Sequence, residues 1–254
     1  MGSNSAPPRL SIVIATWQAA KTLERCLKST IAQTFKDWEL VIADGASTDE
    51  TVDILRAYDA HIYWWGSEKD DGIYDAWNQA LRHARGDYVC FLGADDRWAG
   101  TQTLSQLFNA IDDDEFDIVS SIGQTNNFGS GKSHEFGSAF DFHRIGPRAV
   151  CCHPGLLHRR TLFEEFGLFN TRFKIAGDLE FLLRLPADTR SLHVDMVSVV
   201  IGIEGVSRVN VRERLREQRE VLRQCPRYGP FRAYIRWLDK LWRYPIARLF
   251  NIPH

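Results

Sequence analysis

The sequence predicts an α/β fold with a mainly parallel sheet flanked by helices and followed by a C-terminal helical appendage. Three observations carry that prediction. β-Branched runs alternate with stretches of helical periodicity from residue 9 onward, small polar and acidic residues follow directly on those runs, and no apolar run approaches the length needed to cross a bilayer. With 254 residues and 44% hydrophobic content, the chain can bury a sizeable core, so one large domain with an appendage is the natural organisation. Met1–Ser5 is small and polar and is read as lying outside the fold.

Residues 9–16 (RLSIVIAT) are β-branched, and residues 19–33 then space Leu23, Leu27 and Ile31 four apart, the pattern of a strand followed by a helix. The pattern repeats as a strand over Trp38–Ala43, a helix over Thr48–Tyr58 opened by a Ser or Thr cap, and a third strand over His61–Trp65. Next come a helix over Ile73–Ala84, with Ile73, Trp77, Ala80 and Leu81 on one face, and a strand over Tyr88–Leu92. A helix over Thr101–Ala110 and a strand over Phe116–Ser120 follow, and Gly123–Ser138, rich in Gly, Ser and Asn, reads as a loop. Helices near Thr161–Glu165 and over Asp178–Leu185, with strands between Ser191 and Ile203, complete the reading.

Such sheets gather ligands outside the carboxyl ends of their strands. Thr16, Asp44, the segment Glu68–Asp71, and Asp95 with Asp96 all fall there. Phe91-Leu92-Gly93-Ala94-Asp95-Asp96 ends a buried apolar strand in two adjacent carboxylates. A hard divalent cation, held by one or two carboxylates plus substrate phosphates, would relieve their repulsion, although a solvated turn with Asp96 capping the next helix has the same appearance. Asp44 also follows a strand, and its carboxylate can accept the N3–H of uracil, which cytosine lacks, while guanine offers donors on the same edge. Asp44-Gly45 is equally ordinary turn chemistry.

Taken in order, Asp44-Gly45-Ala46-Ser47-Thr48-Asp49, Ser67-Glu68-Lys69-Asp70-Asp71-Gly72-Ile73-Tyr74-Asp75-Ala76-Trp77-Asn78 and Phe91-Leu92-Gly93-Ala94-Asp95-Asp96 resemble the successive blocks of family 2 inverting glycosyltransferases with the GT-A fold. The resemblance implies a GT-A-like, Rossmann-type catalytic domain over residues 8–205 and a basic amphipathic helical segment over residues 206–254. It implies transfer, with inversion, from a nucleotide diphosphate sugar, most simply a UDP-sugar, to a hydroxyl of a glycan or lipid-linked glycan in bacterial surface polysaccharide or lipopolysaccharide assembly. By the same resemblance Asp44 and Asp70 hold the nucleoside, and Thr16, Asn78 and Ala94 belong to the nucleotide-sugar pocket. Asp95 meets Mn²⁺ or Mg²⁺, with Asp96 beside it as a second candidate ligand. Gly93 replaces the first Asp of the family's DxD-type motif, which leaves the number of protein ligands open.

A fourth block, Phe173-Lys174-Ile175-Ala176-Gly177-Asp178-Leu179-Glu180-Phe181-Leu182-Leu183-Arg184, resembles the family segment that supplies the general base, here Asp178. A carboxylate opening a helix can accept the proton of an attacking hydroxyl, and it can also be an N-cap; Glu180 is the nearby competitor. Cys152-His153-Pro154-Gly155 and Glu204-Gly205-Val206-Ser207 occupy places where the family often has a His-containing segment and a Gly-Ser turn. His153 is therefore a candidate contact for the diphosphate or the acceptor, with a structural role as the alternative.

Other function classes fit less well. Gly129-Ser130-Gly131-Lys132-Ser133 ends like a phosphate-binding loop, but Asn126 stands where that pattern needs Gly, and no GxGxxG follows the first strand. A sugar nucleotidyltransferase would carry a Gly- and Arg/Lys-rich loop after that strand, whereas Ala15–Lys21 has no Gly. A non-catalytic nucleotide-sugar or glycan binder is separated from an enzyme by donor turnover. Nucleic acid is disfavoured as a partner because the expected ligand face is acidic. Five cysteines at positions 26, 90, 151, 152 and 225 form neither a disulfide framework nor a CxxC pair and are read as thiols.

The net charge of −2 hides an asymmetry, because residues 205–254 carry twelve Lys or Arg against four Asp or Glu. There Phe231, Tyr234, Ile235, Leu238, Leu241, Trp242, Ile246 and Leu249 recur at three- and four-residue spacing with basic residues between them, and Pro245 should kink or end the helix. A basic, aromatic-rich face over residues 229–250 suits an anionic membrane surface; packing on the catalytic domain or on the second subunit of a homodimer is the alternative. Charges at Arg9, Lys21, Glu24 and Arg25 break any signal-peptide pattern, so the expected location is cytoplasmic, peripheral on the inner face of the membrane.

Overall fold

A computed structural model of the chain describes residues 6–112, 115–127, 132–142, 151–202 and 210–226. In chain order the elements are β1 (Leu10–Thr16), α1 (Leu23–Ile31), β2 (Trp38–Asp44), α2 (Thr51–Ala57), β3 (Trp64–Ser67), α3 (Ile73–Leu81), β4 (Tyr88–Gly93), β5 (Arg97–Trp98) and α4 (Thr103–Ile111). They continue with β6 (Ile118–Asn127), β7 (Lys132–Phe136), β8 (Leu157–Arg159), α5 (Thr161–Glu165), α6 (Gly177–Arg184), β9 (Ser191–Ile201) and α7 (Val211–Gln224). One mixed sheet runs β3-β2-β1-β4-β8-β6-β9-β5, with β7 paired to β6. Its first four strands are parallel, and β8 reverses direction against β4.

Both faces of β1 are buried, as a central parallel strand requires. Leu10, Ile12 and Ile14 pack with Leu23 and Leu27 of α1 and Leu104 and Phe108 of α4, while Val13 faces the opposite cluster with Trp77, Phe91, Phe169 and Phe181. Two-residue alternation on the strands and three- to four-residue spacing on the helices therefore meet in two core layers, one on each side of the sheet.

The expected helices and strands of the first half are present with shifted ends. α2 starts at Thr51 rather than Thr48 and has no side-chain cap, because the amides of Thr48 and Asp49 donate to Gln18 Oε1 and Asp49 Oδ1 accepts from both the amide and the hydroxyl of Thr51. The third strand begins at Trp64, since Asp59–His61 closes a short 3-10 turn. The loop expected over Gly123–Ser138 is instead a β-hairpin in which Gly123 faces Phe136 and Thr125 faces His134. Its composition misleads for two reasons. The outer strand is exposed over Ser133–Phe136 and tolerates polar residues, and Gly123 is a packing glycine, whose Cβ would lie 2.3 Å from Cys152 Sγ. Lys132 and Ser133, which end the phosphate-loop-like segment, belong to β7.

Two short strands, β5 and β8, were too brief to show a period, and the strands expected after Ser191 form one long strand parallel to β6. All five cysteines are free thiols. Helix α7 lies beyond residue 205 yet packs on the sheet domain: Val221 joins the core with Trp77 and Phe91, and Leu222 meets Leu183. The apolar stripe Phe231–Leu249 and the Glu204–Ser207 turn lie outside the described residues. Among the described residues no helix is long and apolar enough to cross a membrane.

Candidate active site

Parallel register builds the site before any side chain is considered. Thr16 stands opposite Asp44, Asp44 opposite Ser67, and Ala15 opposite Gly93, so the carboxyl ends of β1, β2, β3 and β4 form one rim. Asp44, 2% exposed, accepts four hydrogen bonds. Thr16 Oγ1 (2.8 Å) and Ser47 Oγ (2.6 Å) donate to Oδ1, and Ser47 N (2.9 Å) and Ser67 Oγ (2.6 Å) donate to Oδ2. Charge-assisted bonds of this number fix three loops to one carboxylate. A nucleobase N–H can reach Asp44 only if a Ser47 or Ser67 hydroxyl turns aside, a rotation that hydroxyls make readily.

Asp70 closes over the same rim. Its Oδ1 accepts the amide of Gly72 at 2.9 Å, and a Cβ at Gly45 would come within 2.6 Å of its Oδ2. Glycine at position 45 therefore lets Asp70 sit beside Asp44. Gly72 has φ +110°, the left-handed region glycine favours, and turns the chain into α3; Lys174 reaches across from the loop before α6 to hydrogen-bond the carbonyl of Asp71.

After β4 the two carboxylates divide. Asp96 is 3% exposed and accepts Gly93 N at 2.7 Å and Gly202 N at 2.9 Å, which ties the turn to the end of β9. Asp95 is partly exposed, with its carbonyl held by Arg25 at 3.0 Å. A Cβ at Gly93 would lie 3.0 Å from both Asp95 Oδ1 and Asp96 Oδ2, and one at Gly202 would lie 1.9 Å from Asp95 Oδ2. Two glycines thus clear the space in which Asp95 sits. No group of three or more His, Cys, Asp or Glu that could hold a metal occurs among the described residues. The donors present are hard carboxylate oxygens, which fit Mg²⁺ or Mn²⁺ whose coordination is completed by phosphate and water.

Asp178 lies in the first turn of α6, partly buried. Its Oδ1 accepts the Tyr74 hydroxyl at 3.1 Å and the Leu179 amide at 2.8 Å. Burial pushes its pKa above the ordinary carboxylate range, and these two hydrogen bonds only partly oppose the shift. The same burial, with Asp178 alongside, raises Tyr74 well above its usual value, so the phenol stays a proton donor. Tyr74 lies flat on Gly177, where a Cβ would meet its ring at 2.8 Å. The N-cap alternative for Asp178 does not hold, because the cap position is Ala176 and no side chain caps α6. Glu180 is instead paired with Arg184 at 3.2 Å, and Arg184 also donates to the carbonyls of Phe166 and Leu168.

Three of the expected donor contacts have side chains engaged in structural hydrogen bonds or packing. Asn78 is 6% exposed and clamps the backbone of Phe169, donating to its carbonyl at 2.8 Å and accepting its amide at 3.0 Å. Asn78→Ala should therefore cost ~2–4 kcal/mol of stability, two buried backbone groups losing their partner, while nucleotide affinity in the folded protein stays unchanged; chemical denaturation and calorimetry read the two. His153 is 6% exposed, stacked near Trp77 and Phe91, and burial lowers its pKa to about 3, so a neutral ring offers no charge to a diphosphate. Ala94 packs at the margin of the core cluster that contains Leu92. All three lie in segments that match by pattern, while their side chains turn toward packing.

Sequence reading passed over Trp17, Gln18 and Tyr74. Trp17 directly follows Thr16 and is 71% exposed, the position of a strand-end ligand contact, so its place after β1 was a usable signal. Gln18, with φ 50°, clamps the loop after β2 through Ser47, Thr48 and Asp49. Tyr74 lies within the Ser67–Asn78 block, but its reach to Asp178 spans 104 residues.

Known proteins resemble this chain in sequence and fold. The family model for glycosyl transferase family 2 matches residues 11–167. A PGL/p-HBAD biosynthesis glycosyltransferase of Mycobacterium bovis (strain BCG / Pasteur 1173P2) is 35% identical over 203 residues, covering 76% of this chain and 77% of that protein. The mannosyltransferase PcManGT of Pyrobaculum calidifontis, solved with GDP-Man and Mn²⁺, superposes with a TM-score of 0.70 at 22% identity, covering 96% of this chain and 74% of that one. S. aureus TarS 1-349, solved with UDP-GlcNAc, gives 0.67 at 20% identity, covering 86% of this chain and 67% of that one. The two structures show the fold, a GT-A-like α/β architecture. With the matched segment spanning β1 to α5 and the acidic strand ends within it, the chain belongs to glycosyl transferase family 2.

Proposed function

We propose that the protein transfers a sugar from a nucleoside diphosphate sugar, a UDP-sugar first among them, to a hydroxyl of a glycan or lipid-linked glycan, with inversion and with Mn²⁺ or Mg²⁺ bound at Asp95. The carrying observation is the rim at which Thr16, Asp44, Ser67 and Gly93 end in register, with Asp70 folded over Gly45 and Asp178 held by Tyr74 from the helix that starts three residues after Asp70. The solved relatives carry UDP-GlcNAc or GDP-Man, and the curated relative is a biosynthetic glycosyltransferase, which supports a nucleotide-sugar donor and a bacterial surface-glycan pathway.

Asp178 accepts the proton of the acceptor hydroxyl as that oxygen attacks the anomeric carbon, and the nucleoside diphosphate leaves from the opposite face. One displacement inverts the centre. A raised pKa improves the base, since proton-transfer driving force grows with basicity until the group begins to be protonated at working pH. A divalent cation supplies Lewis-acid neutralisation of the charge on the departing diphosphate. Asp95 is the residue to hold it, and Asp96, committed to two backbone amides, sets the turn that aims Asp95. Trp17 offers its exposed face to the nucleobase. Trp17→Ala should weaken UDP binding roughly 5- to 100-fold by calorimetry with little change in melting temperature; unchanged affinity would remove the stacking role.

The reading is tested with a thermal-shift panel of UDP-, GDP- and dTDP-sugars with and without Mn²⁺, followed by NMR of the product's anomeric configuration. Selective, metal-dependent stabilisation by one donor and an inverted product are expected. No stabilisation by any nucleotide sugar, or a retained configuration, would defeat the reading.

A further inference from the structure

Helix α7 sends one buried carboxylate into the loop that carries the proposed base. Glu217, 6% exposed, accepts three consecutive backbone amides: Lys174 N at 2.8 Å on Oε1, and Ile175 N at 2.8 Å and Ala176 N at 2.9 Å on Oε2. These residues run directly into Gly177 and Asp178. The segment has no side-chain cap of its own, and the first turn of α6 supplies only the local Asp178-to-Leu179 bond. A carboxylate buried on three N–H groups is a strong, directional tie, and removing it leaves the buried amides of Ile175 and Ala176 and the part-buried amide of Lys174 without it. Lys174, held at its amide by Glu217, extends its side chain to the carbonyl of Asp71, next to Asp70. The same tie therefore spans from α7 to the acceptor-side base and to the donor-side rim.

We propose that Glu217 is a positioning residue for transfer: it fixes the entry to α6 so that Asp178 stands against Tyr74 in the orientation that receives the acceptor proton. Helix α7 is then part of the catalytic unit rather than an appendage. Val221 and Leu222 seat the helix by apolar packing, and Glu217 supplies the directional link. The inference rests on Asp178 being the base, and the test keeps the two claims apart.

Hydrogen exchange on the unliganded protein reads the linkage without any turnover. In Glu217→Gln, which keeps shape but offers one acceptor oxygen and a misdirected amide, exchange should quicken at Lys174, Ile175 and Ala176 and also at Leu179. Quickening confined to the first three overturns the proposal. In turnover with the donor that the nucleotide-sugar panel selects, Glu217→Gln should lower kcat about 10- to 100-fold, as small misplacements of reacting groups do, with the Kd for UDP plus Mn²⁺ within about twofold of wild type. Glu217→Asp, which keeps the charge, should regain roughly threefold or more over Glu217→Gln. Added to Asp178→Asn, Glu217→Gln should cost less than about twofold more, because residues acting through one another are not additive. An unchanged kcat, a loss of UDP affinity matching the loss of turnover, or full additivity overturns it. Retained turnover in Asp178→Asn alone defeats the base reading, while the exchange data still report whether Glu217 orders α6.

Discussion

Asp178→Asn should abolish transfer while leaving the donor site intact: kcat falls ~10²- to 10⁴-fold, the contribution of a placed general base, and UDP binding in the presence of Mn²⁺ is unchanged. The substitution keeps the shape, and the Asn oxygen can still accept from Tyr74 and Leu179, so the fold has no reason to fail. The sign of the stability change is itself informative. Burial raises the pKa of Asp178 above its unfolded value, so its ionisation opposes folding and the stabilising preference for the protonated form is lost as pH rises through the folded pKa. A neutral Asn removes that cost. The melting temperature at neutral pH should therefore hold or rise while activity disappears, the mark of a group kept for chemistry rather than for stability. In wild type, kcat should fall on the acid side as Asp178 takes up its proton, at a pH above that of an ordinary carboxylate. A turnover number unchanged in Asp178→Asn would remove the residue from the mechanism and leave Glu180, already paired with Arg184, as the weaker candidate.

Asp95→Asn should uncouple metal from nucleotide. In wild type, Mn²⁺ should tighten UDP binding at least ~10-fold, or ~1.4 kcal/mol, because the cation joins a carboxylate to the diphosphate; in the variant the two affinities should converge. Titration calorimetry of UDP with Mn²⁺ and with chelator measures both. Equal affinity with and without metal in both proteins would end the metal role at this position. The choice of Asp95 over Asp96 follows from burial and bonding. Removing Asp96 would free the amides of Gly93 and Gly202 and disturb the turn itself, so its variant would confound structure with ligation. At Gly93, where the first acid of the motif would stand, a Cβ would lie 3.0 Å from both Asp95 Oδ1 and Asp96 Oδ2.

Much of the candidate rim was readable because it is local. Strand β4 runs straight into its carboxylates and β2 into Asp44, so finding the strand locates the acid. The short step from Asp44 to Ser47 is likewise visible in a turn pattern. The hairpin over β6 and β7 was missed because its glycines and polar residues answer to packing against Cys152 and to solvent, whereas the same letters usually mean a turn. Asn78 and His153 show the converse case. They stand in segments with the right order, yet a polar side chain on the inner face of α3 or beside Phe91 is claimed by the core.

Periodicity and strand-end acidity were enough to read from the linear chain an α/β sheet and the candidates Asp44, Asp70 and Asp95 at its carboxyl edge, while Asp178 entered through the resemblance of its block to the family's base segment. Both depend on neighbours a few residues apart, and such neighbours are printed in order. Folding alone decided which of these carboxylates are saturated by hydrogen bonds, which is raised in pKa by burial, and that Glu217 reaches back some forty residues to the loop before Asp178. Burial and long-range hydrogen bonds are properties of the closed packing of two core layers, and no local pattern encodes which distant amide a buried carboxylate will meet.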